Sequence, residues 1–263
     1  MSEFSAVELA ETLLTAAKTG TPIDPLTGKF PNLTVEQAYA VQQAQVATWT
    51  SDGRVVRGYK VGLTSAVMQH QLGVDQPDFG HLMSDMFYAN GQSIPSEDFI
   101  SPKIEPEFAF VLGRNLQGPH VTAAEAAMAI EGVCGALEII DSRIRDWRIT
   151  LADTVADNAS SGGIVLGDIF KPLNQLNLRT EGVVVTRDGA TVGTGAGAAV
   201  LGSPLTALVW LANTLGALGV SLEAGSVILP GSMTAAIPVE TGTTVTANFS
   251  SFGPVTAQFV ESS

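Results

Sequence analysis

Apolar positions in the first fifty residues recur with helical spacing. Val7, Leu9, Leu13 and Leu14 fit one helix face, and Ser5 with Glu8 has the spacing of a capping box at its start. The Pro- and Gly-rich stretch TGTPIDPLTGKFPN breaks that helix. A second helix opens at Thr34 and Gln37 and runs to about Trp49. From Val55 the pattern changes to short β-rich runs between Gly, Pro and Asp turns: EFAFVL, ALEII, GVVVT, SVILP, TTVTANF and VTAQFV. Arg187-Asp188-Gly189-Ala190 predicts a hairpin between two such runs. Thr122 and Glu125 cap one intervening helix, and Ser203 followed by Pro204 opens another. The elements predict an α+β fold. A helical N-terminal region, residues 1–54, lies on a mostly antiparallel, curved or barrel-like β core that fills residues 55–263. No repeat, low-complexity tract or linker interrupts it.

Composition narrows the function. The chain has 263 residues, 45% of them apolar, enough to bury a substantial core. Its net charge of −13 leaves no basic footprint for nucleic acid and would be repelled by an anionic membrane. A small anionic substrate would be repelled as well, unless a cation receives it. The single cysteine, Cys134 in the apolar run GVCGALEII, reads as a buried structural thiol and suits a reducing, cytoplasmic setting. The N-terminal MSEFSAVELAETLL has no basic n-region of a secretory signal. Leu205 to Leu222 carries no charge and approaches the ~18-residue length of a membrane span. It contains Asn213, Thr214 and two glycines, so a buried core helix is expected.

The chemistry concentrates in Lys103-Ile104-Glu105-Pro106-Glu107-Phe108-Ala109-Phe110. On a strand Glu105 and Glu107 point to one face, while Ile104, Phe108 and Phe110 point to the other. Paired carboxylates repel unless a cation or a proton lies between them. Glu138, in the apolar run ALEII, is costly to bury unless it is paired or ligates a metal. Three carboxylates without His or Cys specify a hard oxygen site, hence Mg²⁺ or Mn²⁺. A solvated E-x-E pair and a salt-bridged core acid remain the plainer readings, and Pro106 argues against a strand interior. Lys60, between apolar residues and glycines, reads either as a buried base or anion-holding cation or as a lysine whose stem runs along the sheet. The polar loop from Asp153 to Gly163 is able to present hydroxyls to a ligand or to form an ordinary turn. His70, His81 and His120 lack metal-ligand spacing and are expected at the surface or behind the site.

Several long motifs stand in order along nearly the whole chain: KVGLTS at 60–65, LGVDQPDFG at 72–80, KIEPE at 103–107, ALEIIDSRIRDWRI at 136–149, DTVADNASSG at 153–162, GAGAAVLGSP at 195–204, WLANTLG at 210–216 and ILPGS at 228–232. In these the chain resembles the 2-keto-4-pentenoate (2-hydroxypenta-2,4-dienoate) hydratases of aromatic meta-cleavage pathways, within the fumarylacetoacetate hydrolase-like superfamily. The resemblance implies a lyase that adds water to a small anionic 2-hydroxy-dienoate. It implies Mg²⁺ or Mn²⁺ on Glu105, Glu107 and Glu138, with Lys60, Asp78 and Ser160 lining the substrate site. It also implies a mixed β-barrel-like core, a homo-oligomer and a possible complex with a neighbouring pathway enzyme. Pro106 departs from the pattern, because relatives carry a small residue there. The sister 4-oxalocrotonate decarboxylases share the Glu set and the VADNASS loop. They typically lack the acid of the QPDFG segment, so Asp78 and Arg145-Asp146-Trp147 favour the hydratase. A non-catalytic partner subunit is the third alternative, and the complete Glu set argues against it.

Overall fold

The computed structural model describes residues 4–65, 69–70 and 73–261. Leu72, the first residue of the LGVDQPDFG motif, lies outside the described residues. Three helices come first: α1 (Ala6–Thr19), the one-turn α2 (Leu26–Lys29) and α3 (Val35–Ser51). Each long helix begins where its cap predicts. Ser5 accepts the Glu8 N–H, and Thr34 with Gln37 forms a reciprocal capping box. Leu9 and Leu13 of α1 pack with Ala38 and Val41 of α3 and with Val155 in a small core of their own.

The strands that follow are β1 (Val56–Gly62), β2 (Asp78–Met83), β3 (Phe87–Ala89), β4 (Ser93–Pro95), β5 (Lys103–Leu112), β6 (Ile130–Ile140), β7 (Ser161–Leu166), β8 (Gly182–Arg187), β9 (Ala190–Ala196), β10 (Val227–Leu229), β11 (Ile237–Pro238), β12 (Thr244–Phe249) and β13 (Gly253–Val260). Helices α4 (Ala123–Ala129), α5 (Leu151–Ala156) and α6 (Pro204–Ala217) lie between them. The strands form an eight-stranded sheet in the order β2-β1-β10-β5-β6-β7-β3, with β11 added beside β5, and a five-stranded sheet in the order β4-β13-β12-β8-β9. Most pairings are antiparallel, as expected; β1–β10, β3–β7 and β4–β13 are parallel. The expected barrel is not found. Among the described residues neither sheet closes, because β2 and β3 end the larger one without pairing to each other. The fold is a mixed α/β arrangement of two open sheets, joined by a core that includes Phe108 and Phe110 of β5 with Phe249 of β12 and Phe252 of the turn that follows it.

β5 continues through Pro106, which stands opposite Leu137 of β6. Its carbonyl accepts the Met233 N–H at 2.9 Å on the side away from β6, so the missing proline N–H removes no bond from the β5–β6 ladder. Ser203 occupies the N-cap of α6 but makes no side-chain capping bond, leaving the start to Pro204. The apolar side of α6, including Ala207, Leu208, Leu211 and Leu215, lies in the main core, as expected for a core helix. Cys134 is a buried free thiol, pushed up to about 12 by burial.

Candidate active site

Adjacent strands of the larger sheet bring three carboxylates together. Glu105 stands directly opposite Glu138 in the β5–β6 ladder, and Glu107 follows two residues along on the same face. One oxygen from each of the three lies within 4.8 Å of the others. Glu138 is completely buried, and neither of its oxygens has a hydrogen-bond partner. Glu107 is buried too; its Oε2 accepts the Gly231 N–H at 2.7 Å. Gly231 sits at φ 127°, where a Cβ would come 2.0 Å from Thr64 Oγ1, so only glycine brings that N–H to the carboxylate. Burial raises Glu107 well above the ordinary carboxylate value, and its neighbours Glu138 and Glu105 add to the rise. Burial likewise pushes Glu138 up to about 7, against the pull of the Lys60 ammonium. Buried, mutually repelling carboxylates, with no His or Cys grouped with them among the described residues, fit a hard divalent cation such as Mg²⁺ or Mn²⁺.

Lys60 comes from β1 and is buried, so its ammonium does not run out to solvent. It donates to the Ala159 carbonyl at 2.9 Å and lies 3.4 Å from Glu138 Oε1. Burial alone would lower the Lys60 ammonium, but Glu138, Asp78, Glu105 and Glu107 together hold it above the usual lysine value. Pro77 and Gly80 beside Asp78 are turn residues, yet Asp78 is the first residue of β2, paired with Gly62 at the end of β1. A Cβ on Gly62 would lie 2.2 Å from Asp78 Oδ1 and 3.4 Å from Lys60 Nζ, so the missing side chain makes room for both groups. Asp78 Oδ1 has no hydrogen-bond partner, and burial raises its carboxyl against the lowering effect of Lys60.

Ser160 closes the third side. Asn158, Ala159 and Ser160 all have left-handed backbone, at φ 52°, 51° and 55°, a costly run for residues with side chains. The run turns the Ala159 carbonyl to Lys60 and places Ser160 Oγ 3.1 Å from Thr154 Oγ1. Lys60, Asp78, Glu105 and Ser160 line one cavity of about 230 Å³; Glu107 and Glu138 lie behind it. Beyond the carboxylates the wall is more apolar, with Leu63, Ile140, Trp147 and Ile149. Lys103, two residues before Glu105 on β5, sits 4.0 Å over the Trp147 ring. Sequence reasoning passed over Lys103, Thr154 and Ile149 as individual residues. The repeat of two along β5 could have flagged Lys103, which shares the face of Glu105. His81, allowed at the surface or behind the site, is buried on β2 against Tyr59 and Phe79.

Residues 56–260 match the family described as Fumarylacetoacetate (FAA) hydrolase C-terminal. The chain belongs to the fumarylacetoacetate hydrolase family. Within it, the chain is 45% identical over 252 residues to a 2-keto-4-pentenoate hydratase of Paraburkholderia xenovorans, covering 96% of this chain and 94% of that one. It is 39% identical to a 2-hydroxyhexa-2,4-dienoate hydratase of Comamonas testosteroni, over 99% and 100% of the two chains. The structure of a 4-oxalocrotonate decarboxylase from Pseudomonas putida G7, complexed with magnesium and adipate, superposes with a TM-score of 0.95 at 35% identity, covering 99% of this chain and 100% of that one.

Proposed function

We propose that this member of the fumarylacetoacetate hydrolase family is a divalent-metal-dependent hydratase. It adds water to 2-hydroxypenta-2,4-dienoate, or a close homologue, to give a 4-hydroxy-2-oxo acid in the cytoplasmic breakdown of aromatic compounds. The observation that carries this reading is the 45% identity with a 2-keto-4-pentenoate hydratase over 96% of the chain. Glu105, Glu107 and Glu138 are the residues that would hold the ion. When bound, Mg²⁺ or Mn²⁺ supplies positive charge for the substrate carboxylate and its 2-oxygen, offsetting the repulsion of an acidic protein.

The reaction moves two protons. The 2-hydroxyl proton leaves and C5 gains one, giving a 2-keto acid with its double bond between C3 and C4. Water then adds, oxygen to C4 and proton to C3, because the ketone draws electrons from C4. Lys60 is the cation nearest the carboxylates, suited to holding the developing negative charge. Asp78, with one oxygen unpaired, is suited to orienting and deprotonating water, and Ser160 to positioning the substrate. The apolar wall of Leu63, Trp147 and Ile149 would accept the hydrocarbon end. A homo-oligomer, and an association with a neighbouring pathway enzyme, accompany this reading.

The 35% identical decarboxylase supports a second reading, carbon dioxide loss from a related 2-keto acid on the same carboxylates. One assay decides between them. Freshly generated 2-hydroxypenta-2,4-dienoate is incubated with the protein, with and without EDTA, and the product is identified. The 4-hydroxy-2-oxo acid, formed only without EDTA, is expected. No consumption of the dienoate, together with carbon dioxide release from 4-oxalocrotonate, would establish the decarboxylase instead.

A further inference from the structure

The N-terminal helices precede the span 56–260 that the family matches, yet α3 reaches the backbone beneath the cavity. β2 ends its sheet, and its inner edge pairs with β1. The outward N–H and C=O groups of Phe79 and His81 therefore need partners from elsewhere. His81 is served by one side chain: its N–H donates to Asn158 Oδ1 at 2.8 Å, and its carbonyl accepts from Asn158 Nδ2 at 2.9 Å. Phe79, next to Asp78, is served by α3. Its N–H donates to the Tyr39 hydroxyl at 3.3 Å, and the Tyr39 ring stacks on the Phe79 ring at 4.5 Å. Its carbonyl accepts from Gln42 Nε2 at 3.0 Å.

Gln42 makes a second bond. Nε2 also donates to the Val155 carbonyl at 2.9 Å, in the helix that leads through the left-handed run to Ser160. The side chain is fully buried. A primary amide holds its two N–H groups in one plane at a fixed angle. One nitrogen therefore ties the strand bearing Asp78 to the helix preceding Ser160. Gln45, three residues on and on the same face, adds a bond to the Ala156 carbonyl at 2.6 Å.

We infer that Gln42 is a positioning residue: it fixes the Asp78 strand against the segment carrying Ser160, and so makes the helical layer part of the active site. The catalytic half of this inference rests on the hydratase reading; the structural half does not. Gln42→Met keeps the volume and removes both donors. Hydration by Gln42→Met should show kcat down on the order of 10²-fold with KM little changed, the signature of misplaced groups. Amide hydrogen exchange should rise together at 78–81 and at 155–160, with the centre of β5 unchanged. Leu13→Ala, which cuts the helical core around Ala38, Val41 and Val155 but leaves the Gln42 and Tyr39 bonds to Phe79 in place, is the stability control. It should lower the melting temperature yet keep wild-type kcat and wild-type exchange at 78–81. Should Gln42→Met fail to fold, Tyr39→Phe deletes a single oxygen and should raise exchange at the Phe79 amide with a smaller loss of kcat. Wild-type kcat and wild-type protection in the folded variant would overturn the inference. Faster exchange with unchanged kcat would overturn the catalytic half. A wild-type protein that hydrates no dienoate refutes the hydratase reading instead, and the exchange measurement still tests Gln42.

Discussion

Glu107 is the residue whose neutralisation is most telling. Its glutamine analogue keeps the size and can still accept from Gly231, but the triad loses a charge. Glu107→Gln is expected to cut hydration by orders of magnitude with an unchanged circular dichroism spectrum; full activity with unaltered Mg²⁺ dependence would refute the ligand role. Asp78→Asn tests the water step. Removing a general base typically costs ~10²–10⁴-fold, whereas solvent exchange at C3 or C5, which reports ketonisation, should survive better than hydration. Near-wild-type hydration would leave Asp78 a structural residue. Gly62→Ala should copy that defect without touching a charge, since the new methyl would meet Asp78 Oδ1 at 2.2 Å. Mg²⁺ binding by calorimetry should persist in this variant. The charged residues of the site were legible because a carboxylate or ammonium in an apolar run is costly to leave unexplained. The setting of Asp78 was not: Pro and Gly around it resemble a turn, and only the pairing with β1 makes it a strand.

At the scale of elements, caps and alternation carried most of the information. Thr34 and Thr122 open their helices through reciprocal bonds with Gln37 and Glu125, and Arg187 pairs with Ala190 across the expected hairpin. Barrel closure could not be read, since it depends on whether β2 and β3 meet, and neither strand's residues encode the other's position. β2 also carries a pH dependence. Burial pushes the His81 imidazole down to about 4, with Asn158 partly opposing it. In the unfolded chain it titrates near its ordinary value of ~6.5. His81 thus contributes stability in full above about pH 6.5, losing it progressively as pH falls to about 4, a loss of about 3 kcal/mol. Urea unfolding of wild type and His81→Gln between pH 7.5 and 4 should give a flatter stability profile for the variant. Parallel profiles would place the pH dependence elsewhere.

For the molecule as a whole, the proposed ligand role of the buried triad would make stability depend on divalent cations. Saturating Mg²⁺ at a hundredfold excess over its dissociation constant adds about 2.7 kcal/mol, a rise of several degrees in melting temperature. Glu107→Gln should abolish most of that rise, and EDTA should reverse it in wild type. The exposed side chains Ile169, Phe170 and Val184 leave apolar surface for a second copy. Light scattering should therefore report a mass well above one chain. Long-range ties were the least legible feature: Gln42 and Val155 lie 113 positions apart, and no periodicity in α3 marks a buried amide as a bridge.

The reach of α3 into β2 also bears on inheritance. Helix α3 and strand β2 meet through a stack and two hydrogen bonds that either side could spoil alone. Recombination between relatives with a crossover near residue 55 would join one parent's amide to another's carbonyls. Such chimaeras should fold and yet work poorly, unless positions 39 and 42 travel with the strand that they hold. The two parts are therefore expected to be exchanged as one cassette, although the sequence pattern changes from helical to β-rich between them.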